Sequence, residues 1–216
     1  MDLRTACPGL EIKACPSFAR ESVARMLNHA ESLLPPDRRL RVSTALRTLE
    51  QQSNGYWKHY RALEEKHPAW PRGILRREAN KFWHPPDTAA VPGHCTGGSV
   101  DVTLLDAAGE PLDMTSTIRE GAGTYATFSR YLTPIARANR DVIWQAMTAA
   151  GFSNCYHEWW HWSYGDAGWA CRLGHSHAVY GLILDVPEEA LLQIEERRRA
   201  SEAAAADDKA KQSDSR

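Results

Sequence analysis

Apolar positions along the chain follow two rhythms. Helical spacing governs residues 18–34, where Phe18, Val23, Met26, Leu27 and Leu33 are compatible with one face. Ser17 is placed to cap that helix, and Pro35-Pro36 stop it. Further helices are predicted over 48–66, with Gly55 as a weak point, over roughly 71–83, and over 134–151. The last is the clearest: Pro134 suits a first turn, and Ile135, Ala138, Val142, Ala146 and Ala149 line one side. Gly151 suits the position just past its end. β-Branched stretches predict strands at 40–46, 99–105 and 177–186, with a turn over 106–111.

Residues 1–16, punctuated by Pro8 and Pro16, read as a loose N-terminal arm. A helix is expected to begin near Pro187, and the polar stretch from Ser201 onward is expected to fray into disorder. The chain thus divides into an arm (1–16), one domain (17–186) and a C-terminal helix with a charged tail (187–216). Helices early, strands late and one intercalated helix predict an α+β fold.

Composition narrows the classes. The chain has 216 residues, 43% hydrophobic and 25% charged, enough for one sizeable core. A formal charge of -1 gives no reason to expect nucleic acid or an anionic membrane as a partner. No apolar run approaches the roughly 20 residues that span a bilayer, and the first residues lack the apolar core of a secretory signal. Five cysteines without a C-x-x-C pair do not form a disulfide framework, so a cytoplasmic protein is expected. Nothing in the sequence fixes the oligomeric state.

The chemistry concentrates in two places. His157-Glu158-Trp159-Trp160-His161 spells H-E-x-x-H, the zinc-protease helix signature. That reading needs residues 157–161 to be helical, yet Gly151 has just closed a helix and the surrounding Tyr and Trp residues favour a sheet. A third ligand at the usual offset is also absent. The rival reading lies upstream, where Pro92-Gly93-His94-Cys95-Thr96-Gly97-Gly98-Ser99-Val100-Asp101 puts His94 on a glycine turn and Asp101 on the strand leaving it. His94, Asp101 and His161 together would make a three-ligand zinc site with one open position, the catalytic arrangement, and Glu158 could accept a proton from water there. An odd spacing separates Glu158 from His161, so a flat strand would send them to opposite faces.

His94-x6-Asp101 followed by Glu158-Trp159-Trp160-His161 resembles the zinc D-alanyl-D-alanine dipeptidases, the group that includes the vancomycin-resistance dipeptidase. Its motifs are S-x-H-x-x-G-x-A-x-D and E-W-W-H. Val102-Thr103-Leu104, Leu112-Asp113-Met114, Asn139-Arg140 and Gly151-Phe152 add to the likeness, which runs over roughly residues 40–165. The resemblance implies the hedgehog/DD-peptidase fold, with a small antiparallel sheet carrying the zinc site between flanking helices, and a catalytic domain over 17–186. It implies one Zn2+ per chain held by His94, Asp101 and His161, with Glu158 as general base. It also implies an arginine at the end of an early strand that stabilises the tetrahedral intermediate, a place occupied by Arg47.

Three positions depart from the family. Pro92 replaces Ser, Ser99 replaces Ala, and Arg119 stands where an aspartate binds the substrate's free amine, with Glu120 beside it. The expected substrate is therefore a small D-amino-acid peptide, D-Ala-D-Ala or a relative. The alternatives are a D,D-carboxypeptidase acting on longer peptidoglycan stems, or a silent zinc- or peptide-binding module. Outside this set, His157 reads as a surface or supporting residue, Cys95 as an inert thiol and Asp113 as a turn residue. His175 and His177 alternate as a strand pair would.

Overall fold

The computed structural model describes residues 1–118 and 123–214, with side chains through residue 206. Its elements in chain order are α1 (Leu3–Ala6), β1 (Glu11–Ile12), α2 (Glu21–Ser32), β2 (Arg39–Thr44), α3 (Leu49–Lys66), α4 (Arg72–Ala79) and β3 (Ser99–Leu105). They continue with α5 (Pro134–Ala149), β4 (Ser153–Asn154), β5 (His161–Ser163), α6 (Ala167–Leu173) and α7 (Glu188–Asp214). One five-stranded sheet runs in the order β1-β2-β3-β5-β4. This is the expected α+β architecture, but the sheet is mixed, because β1 joins β2 in parallel while the other pairs are antiparallel.

The core explains the order. Val42, Val100, Val102 and Leu104 of the sheet pack with Val23 and Leu27 of α2 and with Ile143 and Met147 of α5. The period-3.6 stripes of the two helices thus bury against the sheet's apolar residues, the basis of a two-layer fold. On α5, Thr133 supplies the cap, accepting from the amide of Ala136. Gly151 then takes a φ of +97°, where L side chains are strained. For α3 the start is a capping box in which Thr48 and Gln51 satisfy each other's amides.

Four expectations are corrected. Residues 1–16 are not a loose arm: Leu3, Cys7, Leu10 and Ala14 are core residues, and β1 pairs with β2. Their apolar content is too sparse for periodicity to register, yet all four join the core while β1 takes the edge of β2. The 177–186 segment is not a strand. Val179 and Tyr180 both donate to the carbonyl of Gly165, and Ile183 donates to that of Cys95, so its amides bond across loops rather than along a ladder. The helix predicted from residue 18 begins at Glu21, with Arg20 rather than Ser17 at its cap, because Ser17 bonds Asp2 and Gln193 instead. The C-terminal helix continues through Asp214 beyond the point where the composition predicts fraying. Ion pairs from Arg198 and Arg199 to Glu195 and from Arg198 to Glu202 brace its exposed face. No helix among the described residues is long and apolar enough to cross a membrane.

Candidate metal centre

His94 lies in a short 3-10 turn, Gly93–Thr96, closed by Gly97 at φ +70°. The turn is tied down locally: Thr96 Oγ1 donates to the Gly93 carbonyl at 2.7 Å and accepts from the Gly98 amide at 3.0 Å. Asp101 is the third residue of β3, and His161 the first of β5, directly opposite it in the antiparallel register. Their facing positions follow from the pairing, which places cross-strand partners on one face.

The turn that delivers Glu158 answers the spacing problem. Residues 155–160 form the bend of a hairpin between β4 and β5, closed by Glu158 donating to Cys155 at 2.9 Å and His161 donating to the Glu158 carbonyl at 3.1 Å. Glu158 therefore sits off the strand, so strand alternation does not govern its direction. Asn154 clamps the bend, its side-chain amide donating to the carbonyls of Glu158, Trp159 and His161. From the other side Trp159 donates to Tyr125 and Thr127 donates to Tyr156. Arg140, buried in α5, holds that neighbouring loop through the carbonyls of Met114 and Ala126 and lies over the Trp159 ring at 5.2 Å.

Donor atoms of His94, Asp101 and His161 all lie within 4.8 Å of one another. His94 Nε2 is 3.2 Å from Asp101 Oδ1 and 3.1 Å from His161 Nδ1, while His161 Nδ1 is 3.0 Å from Asp101 Oδ1. His94 Nδ1 lies 2.8 Å from the Ala45 carbonyl, which can only accept, so that nitrogen carries the proton. Burial pushes the His94 pKa down, which keeps the ring neutral and its Nε2 a bare lone pair. That lone pair points at a carboxylate oxygen. Acceptors converging in this way have the chemistry of a cation site, and two imidazoles with a carboxylate suit zinc.

The surrounding charges agree. Burial would raise the Asp101 carboxyl, but His94 and His161 beside it hold it well below the usual range. Burial would lower His161, but its hydrogen bond to Asp101 prevails and raises it. Glu158 is different: desolvation, with Asp101 nearby, lifts its carboxyl to about 7, against the pull of His161 and Arg47. In the protein without metal, Glu158 thus keeps a proton that the unfolded chain releases near 4.5. Stability should fall as pH rises from about 4.5 to about 7, because the unfolded chain binds fewer protons there. His161 adds a loss in the same direction above its own unfolded pKa, whereas the stabilisation from Asp101 is lost only in more acidic solution. Glu158→Gln should flatten part of that decline in melting temperatures recorded from pH 5 to 8 in chelator. An unchanged slope would refute the assignment.

Arg47 follows β2, its amide donating to the His94 carbonyl at 3.2 Å. Its guanidinium reaches Asp101 Oδ2 and Gln52 Oε1, both at 3.4 Å, and lies over the Trp83 ring at 4.7 Å. Trp83 is seated against Gly55, where a Cβ would collide with the ring. This gives the mid-helix glycine a packing reason. Glycine to alanine in a helix normally stabilises by about 0.5–1 kcal/mol; here Gly55→Ala should displace Trp83 and with it Arg47. The ring is partly exposed and free to move, so the expected result is a roughly tenfold lower kcat with a near-normal melting temperature. Unchanged kinetics would show that Trp83 does not set the position of Arg47.

The remaining sequence candidates lie elsewhere. His157 is exposed on the hairpin bend against Tyr156, outside the donor cluster. His175 stacks on Trp169 and His177 bonds Ser176; both are exposed. Cys95 is buried and its thiol is pushed up to about 11, an unreactive state. Asp113 accepts from Thr115 in a turn, as expected. Arg119 and Glu120 fall outside the described residues. Sequence reasoning passed over Ser163 and Asp166, which lie buried behind His161.

A model of the D-Ala-D-Ala dipeptidase family matches residues 21–179. The D-alanyl-D-alanine dipeptidase of Synechocystis sp. (strain ATCC 27184 / PCC 6803 / Kazusa) is 31% identical over 128 residues, 50% of this chain and 52% of that protein. The Escherichia coli (strain K12) D-alanyl-D-alanine dipeptidase is 31% identical over 81 residues, 38% of this chain and 42% of that one. The chain spans about half the length of the curated relatives it matches. Among solved structures, VanYB in complex with D-alanine-D-alanine superposes with a TM-score of 0.41 and 15% identity, over 70% of this chain and 72% of that one. With the family model covering most of its length, the chain belongs to the D-Ala-D-Ala dipeptidase family of zinc peptidases.

Proposed function

We propose that this protein hydrolyses D-Ala-D-Ala or a related D-amino-acid dipeptide, with His94, Asp101 and His161 holding one Zn2+ and Glu158 as general base. The observation that carries the reading is the convergence of three donor atoms beside a glutamate whose carboxyl titrates near 7. When bound, zinc supplies Lewis acidity that polarises the scissile carbonyl and acidifies the attacking water. Glu158 accepts the proton of that water on its carboxylate and delivers it to the departing amine nitrogen. A carboxyl near neutrality is suited to both transfers.

Arg47 stabilises the negative charge that develops on the former carbonyl oxygen. Both of its side-chain hydrogen bonds are long, so its donors can turn to substrate at little loss. His94 and His161 are positioned by backbone and sheet, which keeps the three donors aligned before anything binds. Five unpaired cysteines favour a reducing, cytoplasmic setting.

The test is turnover of D-Ala-D-Ala and of N-acetyl-D-Ala-D-Ala by the purified protein, with zinc and after chelation. Zinc-dependent cleavage of the free dipeptide is the expected result. Preference for the acylated peptide would assign a D,D-carboxypeptidase instead. Cleavage of neither would leave a binding module.

A further inference from the structure

Behind the metal-facing edge of His161 lies a second, buried polar group. Ser99 and Ser163 face each other in the β3–β5 register two rungs from the Asp101–His161 pair, with Val100–Trp162 between them. Strand periodicity therefore puts all four side chains on the same face. Ser163 Oγ is 3.4 Å from His161 Nε2 and 3.0 Å from Ser99 Oγ, and Ser99 Oγ in turn bonds Asp166 Oδ2. Ser99, Ser163 and Asp166 are at most 1% exposed. The other oxygen of Asp166 caps α6, accepting from the Trp169 amide at 2.7 Å.

We infer that Asp166, Ser99 and Ser163 form a relay that holds the Nε2 proton of His161 and orients the ring to ligate through Nδ1, and so act as positioning residues for the metal centre. The inference rests on the zinc reading above. Its logic is directional. An ionised carboxylate only accepts, so Asp166 draws the hydroxyl protons of the serines toward itself. Ser163 is left presenting a lone pair to His161 Nε2, which must then carry a ring proton. His161 Nδ1, hydrogen-bonded to Asp101 before metal binds, is the nitrogen that turns a lone pair to the cation once its own proton is released to solvent. A ring that kept its last proton on Nδ1 could not ligate from there.

One more contact ties the relay to the third ligand. A Cβ at Gly93, next to His94, would collide with Ser99 Oγ and Asp166 Oδ2. The turn that carries His94 therefore packs directly on the relay. All three ligand-bearing segments meet it.

Zinc affinity of the full chain, measured by competition with a chromophoric chelator, tests the inference together with two-bond 1H–15N spectra of the histidine rings. In the zinc-loaded wild type His161 should show a hydrogen-bonded Nε2–H that exchanges slowly with solvent. Ser163→Ala should weaken zinc binding by about tenfold or more, the usual cost of losing a partner of a ligating histidine, and should speed exchange of the Nε2 proton. Ser99→Ala, which breaks the chain one link further back, should do the same to a smaller extent. Wild-type affinity and a wild-type Nε2–H signal in both variants, while His94→Ala loses zinc, would overturn the relay and leave the metal centre intact. Failure of the wild type to bind zinc would overturn both.

Discussion

Glu158→Ala is expected to retain zinc while hydrolysis of D-Ala-D-Ala falls by about 10²–10⁴-fold, the range over which a positioned general base contributes. The geometry separates the two properties. Glu158 sits on the hairpin bend, off the strand that carries His161, and is not one of the three clustered donors. The bend itself is held by backbone and Asn154 bonds that do not involve the Glu158 carboxyl. Truncation also removes a half-buried carboxyl that is costly to ionise, so folding should not suffer. Metal content and turnover measured on one preparation decide the matter. Loss of zinc would make Glu158 a ligand, and retained turnover would remove it from the mechanism.

The second large effect sets His94 against His157. His94→Ala should abolish stoichiometric zinc binding and activity, lowering affinity by more than the roughly 10–100-fold that an outer partner costs. His157→Ala should leave both near wild type, since His157 is exposed and outside the cluster. The reverse result would restore the helical H-E-x-x-H reading. Removing His94 also strips the donor from the buried Ala45 carbonyl, a loss of about 1–3 kcal/mol. Melting of the metal-free variant therefore belongs in the same experiment, to separate lost ligation from lost fold.

Much of this was legible in residue patterns, for identifiable reasons. β3 was found at its observed limits because a run of Val and Leu on a central strand is buried almost throughout. α5 carried its own punctuation in Pro134 and Gly151. The His94, Asp101 and His161 set could be named because zinc ligands must be particular residue types, and the structure brings their donor atoms together, Asp101 and His161 through strand register and His94 through the turn before β3. Other features had no local signature. Whether 177–186 forms a strand depends on a free sheet edge, and the tight packing of Tyr180 against Gly165 takes up that segment instead. Leu3 and Leu10 belong to the core only because β1 finds β2 many residues later. Ser163 and Asp166 looked like ordinary hydrophilic residues. Their one signal was the i, i+2 echo of Ser99-x-Asp101 and His161-x-Ser163, which makes sense only once the strands are paired.

The shortness of β5 has a mechanical consequence. With only three residues in the strand, the Asp101–His161 rung accounts for a large part of its attachment to β3, across 60 residues of sequence. A cation gripping both side chains would rivet the two strands, and its departure would release the clasp. Amide hydrogens of β5 should then exchange with solvent at a rate set by metal occupancy, while those in the middle of β3, paired on their other side with β2, keep their protection.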